Sequence, residues 1–171
     1  MAKKNFFIRL LFSKKYLRIH AGMKSINLPA SSSRLIMNSK AVFQTRISSD
    51  FADLGLNKPS PARPPISIVG YDLIAKGTFK EIYASLGSNF EKMWLSQGQV
   101  IDFCSSYSGY LCQQNRSNAF LIKKDESKPA KGSNLFVVLV AVGRHLSVDI
   151  GQLDDWLEVR GECHRIFCPQ L

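Results

Sequence analysis

Residues 135–142 read Leu-Phe-Val-Val-Leu-Val-Ala-Val, and this stretch decides the fold class. Every side chain in it is apolar, and the valines are β-branched and therefore favour extended backbone. A strand that is apolar on both faces needs cover on both faces, so we expect the central strand of a buried sheet. The second face is covered either by a helix of the same chain or by a second copy of the protein.

Other extended segments flank this strand. Residues 119–123 and 164–168 form short strand-like runs, and residues 146–150 alternate apolar and polar side chains, as a strand with one solvent-facing side does. Residues 125–133 are polar and contain a proline and a glycine, so they predict a loop. Together these segments predict an antiparallel meander of three or four strands.

Helix starts precede the strands, and each has the capping-box pattern, in which Ser or Thr is followed three residues later by Glu or Gln. The three pairs are Thr78 with Glu81, Ser88 with Glu91, and Ser96 with Gln99. Apolar residues with helical spacing follow the first pair, and a longer apolar stripe predicts a helix from Ser96 to about Gln113. The predicted fold is therefore α+β, with two or three helices followed by a three- to four-stranded antiparallel sheet.

The predicted domain is preceded by two segments of different composition. Residues 56–65 contain four prolines, which disfavour regular elements, so residues 49–65 are interpreted as a Pro-rich linker and residues 66–171 as a small α+β domain. Residues 1–48 contain ten Lys or Arg and no Asp or Glu, which equals the formal net charge of +10 of the whole chain. We expect residues 1–48 to be a basic, disordered leader.

Several roles are open for this leader. It is an unstructured tail, an upstream extension from an early start codon, an organellar targeting peptide, or a segment that binds nucleic acid or anionic membrane. On the nucleic-acid hypothesis its phosphate-binding residues are Lys3, Lys4, Arg9, Lys14, Lys15 and Arg18.

Residues 96–116 read Ser-Gln-Gly-Gln-Val-Ile-Asp-Phe-Cys-Ser-Ser-Tyr-Ser-Gly-Tyr-Leu-Cys-Gln-Gln-Asn-Arg. A capped start, an apolar pair, a turn and a second short helical segment make this stretch similar to the helix-turn-helix of bacterial repressors. The resemblance implies that Gln113 and Gln114 read bases, with Arg116 at the end of the recognition helix and the leader on phosphates. A single amphipathic helix packed on the sheet explains the same residues.

Neither catalysis nor metal binding is predicted. Cys163 and His164 are adjacent, so on a strand they point to opposite faces and make a poor zinc pair. We therefore predict no catalytic residue, no metal and no cofactor. Four cysteines in a chain of this length do not indicate a disulfide framework, so a reducing, cytoplasmic location is expected, with an organellar location as the alternative. No apolar run of about 18 residues predicts a transmembrane segment.

The function expected from these observations is protein–protein contact by a non-enzymatic domain, with another protein or a second copy of the chain as partner. Trp156, which lies in an acidic cluster, is predicted to be either a core anchor or an interface residue, and we assign it to the interface. The alternative is a nucleic-acid-binding regulator that uses the basic leader and the segment 96–116. An enzyme has the least support from motifs.

Overall fold

The computed structural model describes residues 16–30, 33–113, 116–125, 134–157 and 164–170, which form an α+β fold. The strands are β1 (Leu17–Ile19), β2 (Ile26–Leu28), β3 (Arg46–Ile47), β4 (Ile66–Leu73), β5 (Gly77–Thr78), β6 (Ser117–Lys123), β7 (Leu135–Val142), β8 (Leu146–Gln152), β9 (Trp156–Leu157) and β10 (Arg165–Pro169). The α-helices are α1 (Asp50–Asp53), α2 (Phe79–Ala84) and α3 (Gln97–Ser106). Short 3-10 helices span Ile36–Asn38, Phe90–Lys92 and Ser108–Tyr110.

Eight of these strands form one mixed sheet in the order β1-β4-β10-β6-β7-β8-β3, with β2 also paired to β4. The meander β6-β7-β8 is antiparallel, as predicted. However, β10 runs parallel to β6 and β3 runs parallel to β8. The predicted layout of helices followed by a small antiparallel sheet is therefore wrong. The spacing of apolar residues indicates where a strand lies. Which strands pair with it depends on contacts between segments far apart in the chain, and the spacing carries no information on those contacts.

The two faces of the sheet are covered by different parts of the chain. On β7, Phe136, Val138 and Val140 belong to the core on one face, which we call face A, together with α3. Val137 belongs to the core on the opposite face B, together with α2. Of the two covers considered for the apolar central strand, the chain's own helix is the one present. The strand by itself is therefore no reason to invoke a second copy.

Much of the predicted leader belongs to this fold. Strands β1 and β2 both pair with β4, and β3 pairs with β8. The side chains of Leu28, Ile36 and Phe43 are at most 2% exposed. The expectation of disorder is thus wrong for residues 16–30 and 33–48, while residues 1–15 lie outside the described residues. Scattered apolar residues in this basic segment lack a helical or strand period, so their burial is visible only in the folded chain.

The predicted linker is also packed against the domain. It contains α1, in which Phe51 is 0% exposed, and Leu56 is 1% exposed. Its prolines shape an irregular path whose backbone carbonyls are hydrogen-bonded from outside the segment. The side chain of Gln97 donates to the carbonyls of Leu56 and Lys58 at 3.2 and 2.9 Å. The proline-rich composition correctly indicated the absence of long helices and strands in this segment. It did not indicate that the segment packs against the domain.

Two of the three capping boxes are confirmed. Thr78 and Ser96 accept from the backbone N–H groups of Glu81 and Gln99, and both reciprocal bonds are present. The third is wrong, because Asn89 caps a single 3-10 turn there. Helix α3 also ends at Ser106, earlier than predicted, and its last turn is followed by 3-10 geometry. Among the described helices, none is long and apolar enough to cross a membrane.

Candidate interaction surface

Trp156 is the most prominent apolar side chain on the described surface. It lies on β9 and is 65% exposed, so it is not a core anchor. Its neighbour Leu157 is 8% exposed and packs into the face B core. Because successive strand residues point to opposite sides, burial of Leu157 directs Trp156 to solvent. This exposure leaves a large apolar area of Trp156 in water, and exposed tryptophans are common among residues that dominate binding energy.

The backbone under Trp156 is held by several hydrogen bonds. β9 pairs with β5, so that Trp156 lies opposite Thr78. The N–H of Phe79 donates to the carbonyl of Asp155 at 3.1 Å, and the N–H of Lys80 donates to the carbonyl of Leu153 at 2.7 Å. The start of α2 and the segment bearing Trp156 therefore hold one another. A backbone held in this way is already ordered, so binding a partner does not have to order it.

A second exposed apolar side chain adjoins the same small sheet. Ile74 is 44% exposed, and its N–H donates to the carbonyl of Tyr16 at 2.8 Å. Tyr16 in turn packs against Gly77, where an added Cβ would lie 2.8 Å from the Tyr16 ring. Glycine is therefore required at this close approach. Trp156 thus lies opposite β5, and Ile74 is linked to β5 through Tyr16; we call Trp156 and Ile74 the Trp156 surface. No sequence prediction singled out Ile74.

Charged groups surround the Trp156 surface without covering it. The ammonium of Lys80 lies 3.8 Å from the carboxylate of Asp154, and both side chains are more than half exposed. Asp155 is exposed as well, and its Oδ2 accepts from the N–H of Gln152 at 2.7 Å. An exposed pair of this kind contributes little to stability. The apolar surface therefore has a polar, solvated rim, as protein–protein interfaces do.

The structure does not gather the predicted nucleic-acid residues into one described site. Lys3, Lys4, Arg9, Lys14, Lys15 and Gln114 lie outside the described residues. Arg18 is exposed on β1, at one edge of the sheet. Gln113 is exposed next to the end of α3, and its side chain donates to the carbonyl of Leu111 at 2.9 Å. Arg116 is half-buried just before β6.

The segment that resembles a helix-turn-helix folds differently. α3 is followed by one 3-10 turn and then by β6, so the described part of residues 96–116 contains one α-helix. Gln97 and Gln99 at its start are 0% exposed and bind neighbouring loops. The single packed helix considered from the sequence is therefore the arrangement present. A helix-turn-helix and a single packed helix both begin with a capping box and carry an apolar stripe, so these features could not distinguish between them.

Sequence reasoning missed a polar cluster at the β1 edge of face A. Arg165, 7% exposed, donates through Nε to Asp72 at 3.0 Å and also donates to the carbonyl of Tyr110. The other Asp72 oxygen lies 2.8 Å from Nδ1 of His20. Burial raises the pKa of Asp72, but the hydrogen bonds from His20 and Arg165 and their charges outweigh it and leave the pKa below its usual value. No sequence pattern brings these three residues together.

His164 lies next to Arg165 but faces another environment. Burial and the positive charge of Arg116 lower the pKa of its imidazole. Its Nδ1 accepts from the N–H of Ser117 at 3.3 Å. A neutral imidazole with one nitrogen committed to the backbone is a structural group at neutral pH.

The sequence did not indicate a disulfide framework, but the described cysteines are not all free thiols. Cys112 is disulfide-bonded, whereas Cys104 and Cys168 are free and buried. Burial raises the pKa of Cys168 to about 12, so its thiol is protonated at neutral pH and unreactive. The prediction for Cys163 falls outside the described residues.

No group of three or more His, Cys, Asp or Glu within the described ranges has a geometry that could hold a metal ion. No protein-family model, no curated protein and no solved structure matches this chain.

Proposed function

We propose that the protein is a protein–protein interaction domain and that the Trp156 surface is its contact site. The observation that carries this proposal is the 65% exposure of Trp156 on a backbone held by β5 and the start of α2. Solvent exposure of an aromatic side chain is unfavourable, and binding a partner removes that apolar area from water. Tryptophan is also enriched among residues that dominate binding energy.

The partner tested first is a second copy of the chain. Sedimentation of the full chain across a wide concentration range should show a dimer that Trp156→Ala converts to monomer. Thermal unfolding should be almost unchanged at low concentration, because Trp156 adds little to the core. The matched control is Ile19→Ala, which removes another exposed apolar side chain, 53% exposed, on β1. That control should leave association unchanged.

A fluorescence measurement gives an independent readout, because the chain has two tryptophans. Trp94 is 6% exposed, so the variant Trp94→Phe leaves Trp156 as the only emitter. Acrylamide quenching of this emitter should fall when the partner binds. If wild type stays monomeric, a heterologous partner is sought by affinity capture with wild type and Trp156→Ala as baits. Equal capture of the same proteins by both baits would reject the Trp156 surface as the contact site.

A further inference from the structure

A cavity lies on face A, on the side of the sheet opposite the Trp156 surface. Three segments far apart in sequence build it: residues 41–44, the end of α3, and the turn between β7 and β8. Its volume is about 490 Å³. Small-molecule sites in proteins typically have about 300–1,000 Å³. This cavity is therefore large enough for a small organic ligand, and it is independent of the proposed contact site.

The floor of the cavity is apolar. Cys104, 2% exposed, lines it together with Val142 and Leu146, and all three belong to the face A core. Burial raises the pKa of the Cys104 thiol far above its usual value, so this thiol is neutral. The thiol of Cys104 therefore offers a ligand an apolar contact and is not a nucleophile. A ligand with an apolar body would replace water on this floor.

The rim, in contrast, is rich in hydrogen-bond donors. Arg144 and His145 stand on the β7–β8 turn, and Gln44, Ser105, Ser108 and Gln113 complete the polar lining. None of the residues that line the cavity is Asp or Glu. Arg144 makes no ion pair with a carboxylate within the described ranges. Its guanidinium thus has its charge available to a ligand.

The turn that carries these donors has a fixed backbone. The hydroxyl of Thr45 donates to the carbonyl of His145 at 3.1 Å, and the N–H of Thr45 donates to the carbonyl of Leu146 at 3.0 Å. The N–H of Gly143 also donates to the carbonyl of His145, at 3.3 Å. The turn that carries Arg144 is therefore held by one hydrogen bond within it and by two hydrogen bonds from Thr45. This reduces the conformational cost of forming a site.

The charge of the ligand that the cavity attracts follows from a comparison of the charges around it. The carbonyl end of α3 contributes about half a negative charge. The guanidinium of Arg144 carries a full positive charge, and His145 adds a further N–H donor. The positive contribution is larger, and no carboxylate of the lining opposes it. We propose that this cavity binds a small organic anion, with its charged group on Arg144 and His145 and its apolar body on Cys104, Val142 and Leu146.

Titration of the full chain with benzoate, followed by amide chemical shifts in NMR spectra, tests the proposal. Shifts should be confined to residues 41–45, 104–113 and 142–146. The neutral analogue benzyl alcohol should bind about tenfold or more weakly, because it lacks a charge-assisted bond to Arg144. Phenyl phosphate serves as a second anion, which separates a requirement for negative charge from a requirement for the carboxylate itself.

Substitution of the arginine gives the decisive comparison. Arg144→Gln should weaken benzoate binding about tenfold, whereas the matched control Arg18→Gln, on the β1 edge, should leave it unchanged. Equal binding of benzyl alcohol and benzoate would overturn the proposal, as would an unchanged affinity of Arg144→Gln for benzoate. Binding of a single-stranded oligonucleotide at these same residues without any response to benzoate or phenyl phosphate would also overturn it, in favour of a nucleic-acid contact.

Discussion

The two faces of the sheet are covered in different ways. Face B is covered by α2, whose start is a complete capping box and whose apolar residues follow a helical period. Face A is covered by α3 together with irregular chain from the N-terminal third, including Met23, Ile36 and Phe43. Local signals therefore identify α2 on face B, whereas the irregular part of the cover of face A has no local signal. A basic composition without periodicity is compatible with a fully buried contribution to a core.

The irregular cover is held in place by buried polar side chains. Gln97 accepts from the N–H of Ile36 at 3.0 Å and donates to two carbonyls of the Pro-rich segment. Gln99 donates to the carbonyls of Pro29 and Pro64 at 3.1 and 3.0 Å. Amide side chains both donate and accept, so they can satisfy backbone groups of loops that have no ladder partner. The side chains of these two glutamines therefore satisfy backbone groups of the loops on face A that would be satisfied by backbone partners in a helix.

The comparison of the two faces is tested most directly by paired truncations of core aromatics. Phe43→Ala on face A and Phe79→Ala on face B should each lower the free energy of unfolding by about 3–5 kcal/mol, because both side chains are at most 2% exposed. Urea denaturation measures both variants. Ile19→Ala, at an exposed position, should stay within about 0.5 kcal/mol of wild type. A negligible effect of Phe43→Ala beside a large effect of Phe79→Ala would show that face A is not covered as described.

A smaller effect is expected from the glutamine that ties the loops to α3. Gln97→Ala removes three hydrogen bonds and leaves buried backbone groups unsatisfied, at a cost of about 1–3 kcal/mol for a group of this kind. Limited proteolysis should show faster cleavage within residues 56–64. Gln44→Ala is the matched control, since its exposed amide makes a local bond to the carbonyl of Ala41. Equal proteolysis of both variants would mean that Gln97 does not hold the Pro-rich segment.

The smallest effect is a dependence of stability on acid pH that comes from Asp72. Its pKa is lowered in the folded protein, so the unfolded chain takes up this proton first as the pH falls. The stabilisation is present above about pH 4 and is lost as the pH falls through the folded pKa. Urea midpoints between about pH 6 and about pH 3 should therefore fall less steeply in Asp72→Asn than in wild type. The control Asp154→Asn, 85% exposed in its side chain, should keep the wild-type slope, and an unchanged slope in Asp72→Asn would contradict the role of the cluster.

The Trp156 surface and the cavity differ in how far the sequence leads to them. The sequence leaves Trp156 as either a core anchor or an interface residue, and its exposure is visible only in the folded chain. Ile74 becomes part of that surface only because Tyr16 and Gly77 bring it beside β5. The cavity joins residues 41–44 to the β7–β8 turn, about a hundred positions apart in the chain, so no local pattern could have indicated it.

The sequence by itself determined the elements whose signals are local. These are the apolar strand β7, the meander β6-β7-β8, and the capped starts of α2 and α3, because periodicity and capping depend on residues within one or two turns of one another. Only the tertiary structure decided the parallel insertion of β10, the burial of residues in the predicted leader, and the Asp72–Arg165 cluster. Those features join segments distant in the chain. They are stabilised by burial and by hydrogen bonds that exist only once the whole sheet has assembled.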